Sequence, residues 1–458
     1  VATVTSVDAF TITASNQATA GGSFGMNGGL VDAVYSINIG PTTIGTGFGI
    51  GPFGAGGFGT GATPTLQTGT PITAVDWTSD NWGQILIAVP QNGGVYAFDP
   101  TGGFANAGLV ATAPPLNGGG FISNAQQILI LWASSVEYDI GVLQDPMTVN
   151  WSASGDYTNF VVSSTTQAGS FRIPICSTIR GGMAVQNQNL IWTDLDLWAM
   201  NYIGLPFVYG FNKIGSGCGL IGSHAAQQVR GGVYWMGPTN FYQYAGSGVQ
   251  VIPCPVWDAV FQNLNTANAY KVRAMPNTPF NEVGWEYPSL NATENDSYVK
   301  FNVTEQGGPW DYGLLARSAW IDQTVLGMPI GATTGGIIYQ HETTPDADGS
   351  PLTASFTTGY FMIGDGEDFA YVDQIIPDFK FGLYGGSPSA QIQLTFNLIN
   401  YPGDTPISYG PYTFMGTTQD IPVGLRGRQM SITVSSSDVG SFWRLGRIRY
   451  RWRPDGRA

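Results

Sequence analysis

The feature that most constrains this fold is a hairpin that keeps returning. An apolar strand, a turn of glycine or polar residues and a second strand rich in Trp and Tyr recur at Gln84–Asp99, Gln127–Asp139, Asn189–Ile203 and Gly231–Ala245. Further copies are read at Ser297–Ile321 and, as a half-copy, at Gly335–Thr343. Starts about 40 to 65 residues apart are what four-stranded blades with insertions produce. One such hairpin has an apolar face too small to be stable alone, so copies must stack and bury those faces against each other. The expected fold class is all-β, an irregular β-propeller of about six blades with additional β-rich terminal or inserted segments. A pair of β-sandwiches built from similar hairpins is the alternative, because repetition alone does not dictate closure.

Composition agrees with strands rather than helices. Only 10% of the 458 residues are charged and only four are lysine (213, 271, 300, 380), whereas the chain holds 64 Gly, 28 Pro, 13 Trp, 21 Tyr and 24 Phe. Exposed helices need Glu and Lys on their wet faces, so they must be few. One short helix is expected at Val256–Leu264, where apolar residues recur at spacings of three and four. A chain this poor in charge must hide surface in partners or wet it with Asn, Gln, Ser and Thr. No apolar run approaches the roughly 20 residues of a membrane helix, so no membrane insertion is expected.

Three segments follow from the punctuation. Residues 1–70 form an N-terminal β and glycine-rich segment, in which Val1–Thr13 alternates like a strand with a turn at Ser6–Ala9. Alternation already running at the first residue is expected of a chain truncated upstream. Residues 40–61 are low in complexity, with Phe48, Phe53 and Phe58 five apart. That spacing suits neither a helix nor a strand; it reads as a glycine-rich loop, or as an aromatic clip inserting into a neighbouring subunit. Residues 71–350 carry the blades. Residues 351–458 form a C-terminal β section, a closing blade or an appended domain, with strands expected at Ala354–Phe361, Gln391–Leu398, Gln429–Val434 and Trp443–Trp452.

Charge is divided along the chain. Eight of the 17 basic residues lie between Arg426 and Arg457, opposed only by Asp438 and Asp455, giving +6 there and −20 over the remainder. If Trp443–Trp452 is one strand, Arg447, Arg449, Arg451 and Arg453 form a guanidinium ridge on one face, with Arg444 on the other. The ridge could meet phosphates, pair with acidic protein surface or be the polar face of an edge strand. Carboxylates of neighbouring subunits are the expected partner, since a planar guanidinium binds them through two bonds.

Motifs that carry chemistry are scarce. There are two histidines, His224 and His341, neither beside a nucleophile motif; His341-Glu342 lacks the second His of a helical zinc site. Cys176, Cys218 and Cys254 are far apart and without metal spacing. Asp346-x-Asp348-Gly349 starts like a calcium loop but reads as a β-turn. Asp194 and Asp196 sit two apart in an expected hairpin turn that needs them for backbone hydrogen bonds, although a carboxylate pair in a propeller is also what a glycosidase uses. No phosphate loop or dinucleotide motif is present. The expectation is a structural protein and no enzyme, with no cofactor and no metal.

Several segments resemble the tail nozzle proteins of short-tailed bacteriophages, also known as tail hub, tail tubular or head-to-tail stabilisation proteins. They are Trp77–Asp99, Trp151–Val161 with Gln167–Ser170, Leu190–Gly222, Gly232–Ser247, Trp310–Asp322, Ile338–Glu342, Pro377–Phe379, Arg426–Met430 and Trp443–Tyr450. The resemblance runs over most of the chain after about residue 35, and its motifs are structural. It implies a propeller subunit in a hexameric ring below the portal and adaptor, in a virion tail assembled in the host cytoplasm. Its partners would be further copies, the tail adaptor, and fibre or needle proteins. Genomic DNA would pass through the ring without sequence recognition, past an acidic lining that does not hold phosphates. A glycan-binding or glycan-degrading propeller of the tail, or a secreted lectin, is the competing reading.

Overall fold

The computed structural model describes residues 3–6, 9–11, 76–102, 107–138, 141–186, 188–246, 248–304, 309–325, 327–382 and 390–456. The chain divides into two compact units, Val1–Ser318 and Ala319–Ala458. The fold is all-β, and the first unit is a β-propeller.

Among the described residues, five four-stranded antiparallel sheets make its blades. Blade one comprises Trp77–Trp82, Ile85–Pro90, Tyr96–Phe98 and Gly108–Leu109. Blade two comprises Gly119–Ser123, Ile128–Trp132, Thr148–Trp151 and Gly169–Arg172, with the hairpin Ser135–Tyr138 and Gly141–Gln144 inserted after its second strand. Blade three runs through Ile179–Val185, Gln188–Thr193, Asp196–Gly204 and Val208–Ser216. Blade four contains Ala226–Val229, Gly232–Met236, Phe241–Tyr244 and Val249–Ile252. Blade five contains Arg273–Asn277, Glu282–Tyr287, Ser297–Asn302 and Trp310–Leu314.

The leading strands of blades one and two, two and three, and four and five lie side by side. Blade one is stitched to blade two where Gly120 N–H donates to Thr78 Oγ1 and Ile122 N–H to Asp80 Oδ2, both at 2.8 Å.

In blades two to four the recurring apolar strands are second strands buried on both faces, which is why they read as continuous hydrophobic runs. In Ile128–Trp132, Ile128, Ile130 and Trp132 pack with Ile191, Trp198 and Met200 of blade three. The alternate residues Leu129 and Leu131 pack with Ile87 and Val89 of blade one. Blades two to five each place a Trp in this strand, namely Trp132, Trp192, Trp235 and Trp285, all buried. A buried indole N–H needs an acceptor. Trp235 donates to the Cys218 carbonyl and Trp285 to the Ala225 carbonyl, each at 2.8 Å. Close contact also explains Gly219 and Gly222: a Cβ on Gly219 would lie 2.1 Å from the Asp194 carbonyl oxygen and one on Gly222 2.7 Å from that of Tyr270.

The hairpin expected at the N-terminus forms, with Thr3–Ser6 pairing Ala9–Thr11, and the short helix is Trp257–Phe261. Against the expected count of about six blades, the described residues of this unit form five four-stranded sheets. The half-copy at 335–343 falls in the second unit, in a three-stranded sheet of Ala319–Ile321, Ile330–Ala332 and Ile338–Gln340.

In the second unit a sheet of Ala354–Thr357, Gln429–Ser436, Ile392–Ile399 and Ile407–Phe414 shares a core with one of Ile421–Gly427, Ala370–Ile376 and Arg449–Pro454. Leu394, Phe396 and Leu398 alternate inward against Val372, Ile375 and Leu425. Asp348 and Gly349, both with positive φ, form the two-residue turn between Asp346–Ala347 and Ser350–Pro351. The calcium-like motif is therefore a hairpin turn.

Candidate functional site

Two cavities open at opposite ends of the leading strands, and their linings differ in kind. The first, of about 210 Å³, lies where these strands begin. Asp76 of blade one, Gly118 and Trp132 of blade two, Thr178 and Arg180 of blade three, Ser223 before blade four and Tyr270 before blade five all line it.

Asp76 organises this end. Its Oδ1 accepts from Arg273 Nη2 at 2.7 Å and its Oδ2 from Ser223 Oγ at 2.8 Å. His224 Nε2 stands 3.0 Å from Oδ2, within reach of charge attraction but outside hydrogen-bond alignment. His224 and Arg273 also form a parallel bridge, with Ala274 N–H donating to the His224 carbonyl at 2.8 Å. Burial opposes ionisation of Asp76; the His224 contact, the Arg273 charge and the Ser223 hydroxyl outweigh it and hold the carboxyl well below the usual range. One carboxylate thus ties the start of blade one to blades four and five.

Behind this cluster lies an unusual acid. Glu286, on the second strand of blade five opposite Arg273, is fully buried, and among the described residues neither carboxylate oxygen has a hydrogen-bond partner. Burial pushes its pKa up to about 8, against the weaker pull of Arg317 and Arg273. Its side chain is a neutral acid at pH 7, the state that avoids burying a charge without a partner.

The second cavity, of about 350 Å³, lies where the leading strands of blades two to four turn back. Asn124, Gln126, Gln186, Gln188, Asn189 and Gln228 line it with Tyr202, and none of its lining residues is charged.

The residues singled out from sequence stand elsewhere. Phe48, Phe53 and Phe58 lie outside the described residues. The single strand expected at Trp443–Trp452 is two, Trp443–Leu445 and Arg449–Pro454. The chain breaks because Gly446 N–H donates to the Asp378 carbonyl at 2.6 Å, and a Cβ there would lie 2.5 Å from Asp378 Oδ2. Arg444 is exposed on the first piece, Arg447 is exposed between them, and Arg449, Arg451 and Arg453 are exposed along the second, an edge strand. Arg451 pairs with Asp373 at 2.7 Å, and Arg453 lies over the Tyr371 ring. Arg444, Arg447 and Arg449 have no ion pair among the described residues.

Asp194 and Asp196 do not hold their own hairpin turn, as expected of them, but fasten it to neighbouring segments. Asp194 accepts from the Ser177 and Thr178 amides, and Asp196 lies 3.5 Å from Lys213 Nζ. Among the described residues no group of three or more His, Cys, Asp or Glu could hold a metal ion, and no helix is long and apolar enough to cross a membrane.

The class these observations define is a β-propeller with a second β unit whose core is shared by two sheets. No family model matches the chain, and no curated protein matches it. Solved structures similar to it include BamB from Moraxella catarrhalis, at 13% identity over 64% of this chain and 77% of that one, with a TM-score of 0.32. An ancestral GH74 enzyme is similar at 12% identity over 58% of this chain and 41% of that one, with a TM-score of 0.35. An exo-beta-1,3-galactanase from Phanerochaete chrysosporium is similar at 10% identity over 82% of this chain and 95% of that one, with a TM-score of 0.26.

At such identities the likeness bears on fold alone. The expectation of a non-enzyme is nevertheless corrected: enzymes are among the similar structures. Scarcity of histidine was a weak ground for it, because paired carboxylates suffice for glycoside chemistry.

Proposed function

We propose that this chain is an assembling subunit whose propeller docks on neighbouring proteins, the nozzle ring of a short-tailed phage tail. The observation that carries the reading is an apolar hairpin tip held in solvent. The last two strands of blade three are nine residues each, and the tip between them exposes Ile203 by 57%, Leu205 by 59% and Phe207 by 74%. Val161 and Val162 of the blade-two loop are each 69% exposed, and that loop reaches the tip through Gln167 Nε2, which donates to the Tyr202 hydroxyl at 3.2 Å. A cluster of large apolar side chains on protruding segments marks a protein interaction site.

The segments behind the phage resemblance support a structural role. In Trp151–Val161, Ser152 Oγ accepts from Leu129 N–H, Gly155 N–H donates to the Gln127 carbonyl, and Tyr157 packs edge-on against Trp82. Ser152 and Gly155 fasten this loop to its own blade, and Tyr157 joins it to blade one. Mass measurement and imaging of the purified assembly test the reading: a ring of six is expected, and a monomer at micromolar concentration, or a trimeric fibre, overturns it.

A second reading, a glycan-binding propeller of the tail, is favoured by the uncharged amide lining of the larger cavity. Sugar hydroxyls are both donors and acceptors, and amide side chains answer both.

A further inference from the structure

We propose that the larger cavity is a binding site for a neutral saccharide, an assignment that rests on the glycan-binding reading and fixes its place and ligand class. About 350 Å³ is at the small end of the roughly 300–1,000 Å³ of small-molecule sites. Three blades contribute. Asn124 and Gln126 come from the first turn of blade two, Gln186 from that of blade three, Gln188 and Asn189 from the start of blade three's second strand, and Gln228 from the leading strand of blade four.

The lining is fixed from behind but keeps valence toward the cavity. Ser123 Oγ donates to Gln126 Oε1 at 3.0 Å, and Gln188 Nε2 donates to the Tyr244 hydroxyl at 2.7 Å. The Gln126 amide nitrogen and the Gln188 amide oxygen have no protein partner among the described residues, so one donor and one acceptor remain. Tyr202 stands edge-on to Tyr209 at 5.7 Å between ring centroids and is held at its hydroxyl by Gln167. Beneath the lining, the buried Tyr209 hydroxyl lies beside Ser123 and Asn189 without completing a hydrogen bond.

Charge sets the ligand class. A phosphate, sulfate or sialic acid entering here would lose water and meet no cation, whereas a neutral polyol exchanges water hydrogen bonds for amide ones.

The test is binding of the purified full chain to an array of neutral oligosaccharides ending in glucose, galactose, mannose or N-acetylglucosamine, with sialylated and sulfated glycans alongside. Titration of the best neutral binder against the double variant Gln126→Ala/Gln228→Ala follows. At least tenfold weaker binding at an unchanged melting midpoint is expected, with Arg180→Ala in the other cavity binding normally. Equal binding by wild type and double variant overturns this location while glycan recognition stands. Preference for acidic glycans overturns the neutral class. Silence across the whole array overturns glycan recognition itself, and this site with it.

Discussion

The two ends of the propeller's leading strands are built from the same repeated hairpin and arrive at opposite chemistry. At the starting end, Asp76, Arg273, His224 and Ser223 are spent on one another, and what they achieve is a tie between the first blade and the fourth and fifth. At the turning end the lining carries no charge and keeps amide groups unused. A polar residue that fastens blades has little left to offer a ligand, while one in a turn between fastened strands does. Charge by itself is therefore a poor guide to the binding end of this molecule.

Removing the tie should have the largest effect. Asp76→Ala leaves Arg273 partly buried without its partner and should cost about 3 kcal/mol in denaturant unfolding, toward the low end of the range for broken buried pairs because these side chains are about a quarter exposed. The same carboxylate sets an acid limit. Its pKa is depressed on folding, so its stabilisation is present above the ordinary carboxylate range and is lost as pH falls through the folded value. Melting midpoints should drop more steeply below pH 4 for the wild type than for Asp76→Ala.

Glu286 works in the other direction. Its pKa rises from 4.5 to about 8 on folding, so stability should fall as pH climbs across that window, by about 1.4 kcal/mol per pH unit at the steepest. Glu286→Gln should remove that slope and be the more stable protein at pH 7; an unchanged slope would show that the carboxyl is ionised in the folded chain.

Changes at the turning end should barely register in stability. Gln126→Ala/Gln228→Ala should stay within about 0.5 kcal/mol of wild type, and a large loss would mean that this end too is fastening, erasing the contrast. Smallest of all, Arg451→Gln breaks an exposed pair with Asp373 and should leave the melting midpoint of the isolated chain unmoved. Any effect of the arginine edge strand should surface in assembly at moderate salt, where Arg447, Arg449 and Arg451 replaced together by Gln should weaken it.

Much of the scaffold was legible before any coordinates. Ile128–Trp132 and Gly232–Met236 were readable as strands because burial on both faces leaves an unbroken apolar run, and the Asp348-Gly349 turn because only certain residues take positive φ without strain. Trp443–Trp452 misled, since its alternation is that of one strand while a backbone contact at Gly446 divides it.

The amino-acid sequence by itself determined an all-β chain of stacked hairpins, because strand period, turn residues and apolar runs are local properties. Tertiary structure alone decided the two cavities. Asp76 lies 147 residues from Ser223 and 197 from Arg273, and Gln126 is far from Gln228; no local pattern marks them. They meet because stacked blades bring equivalent strand ends together regardless of separation along the chain. Which cavity is lined by charge and which by amides is visible only in the stacked blades.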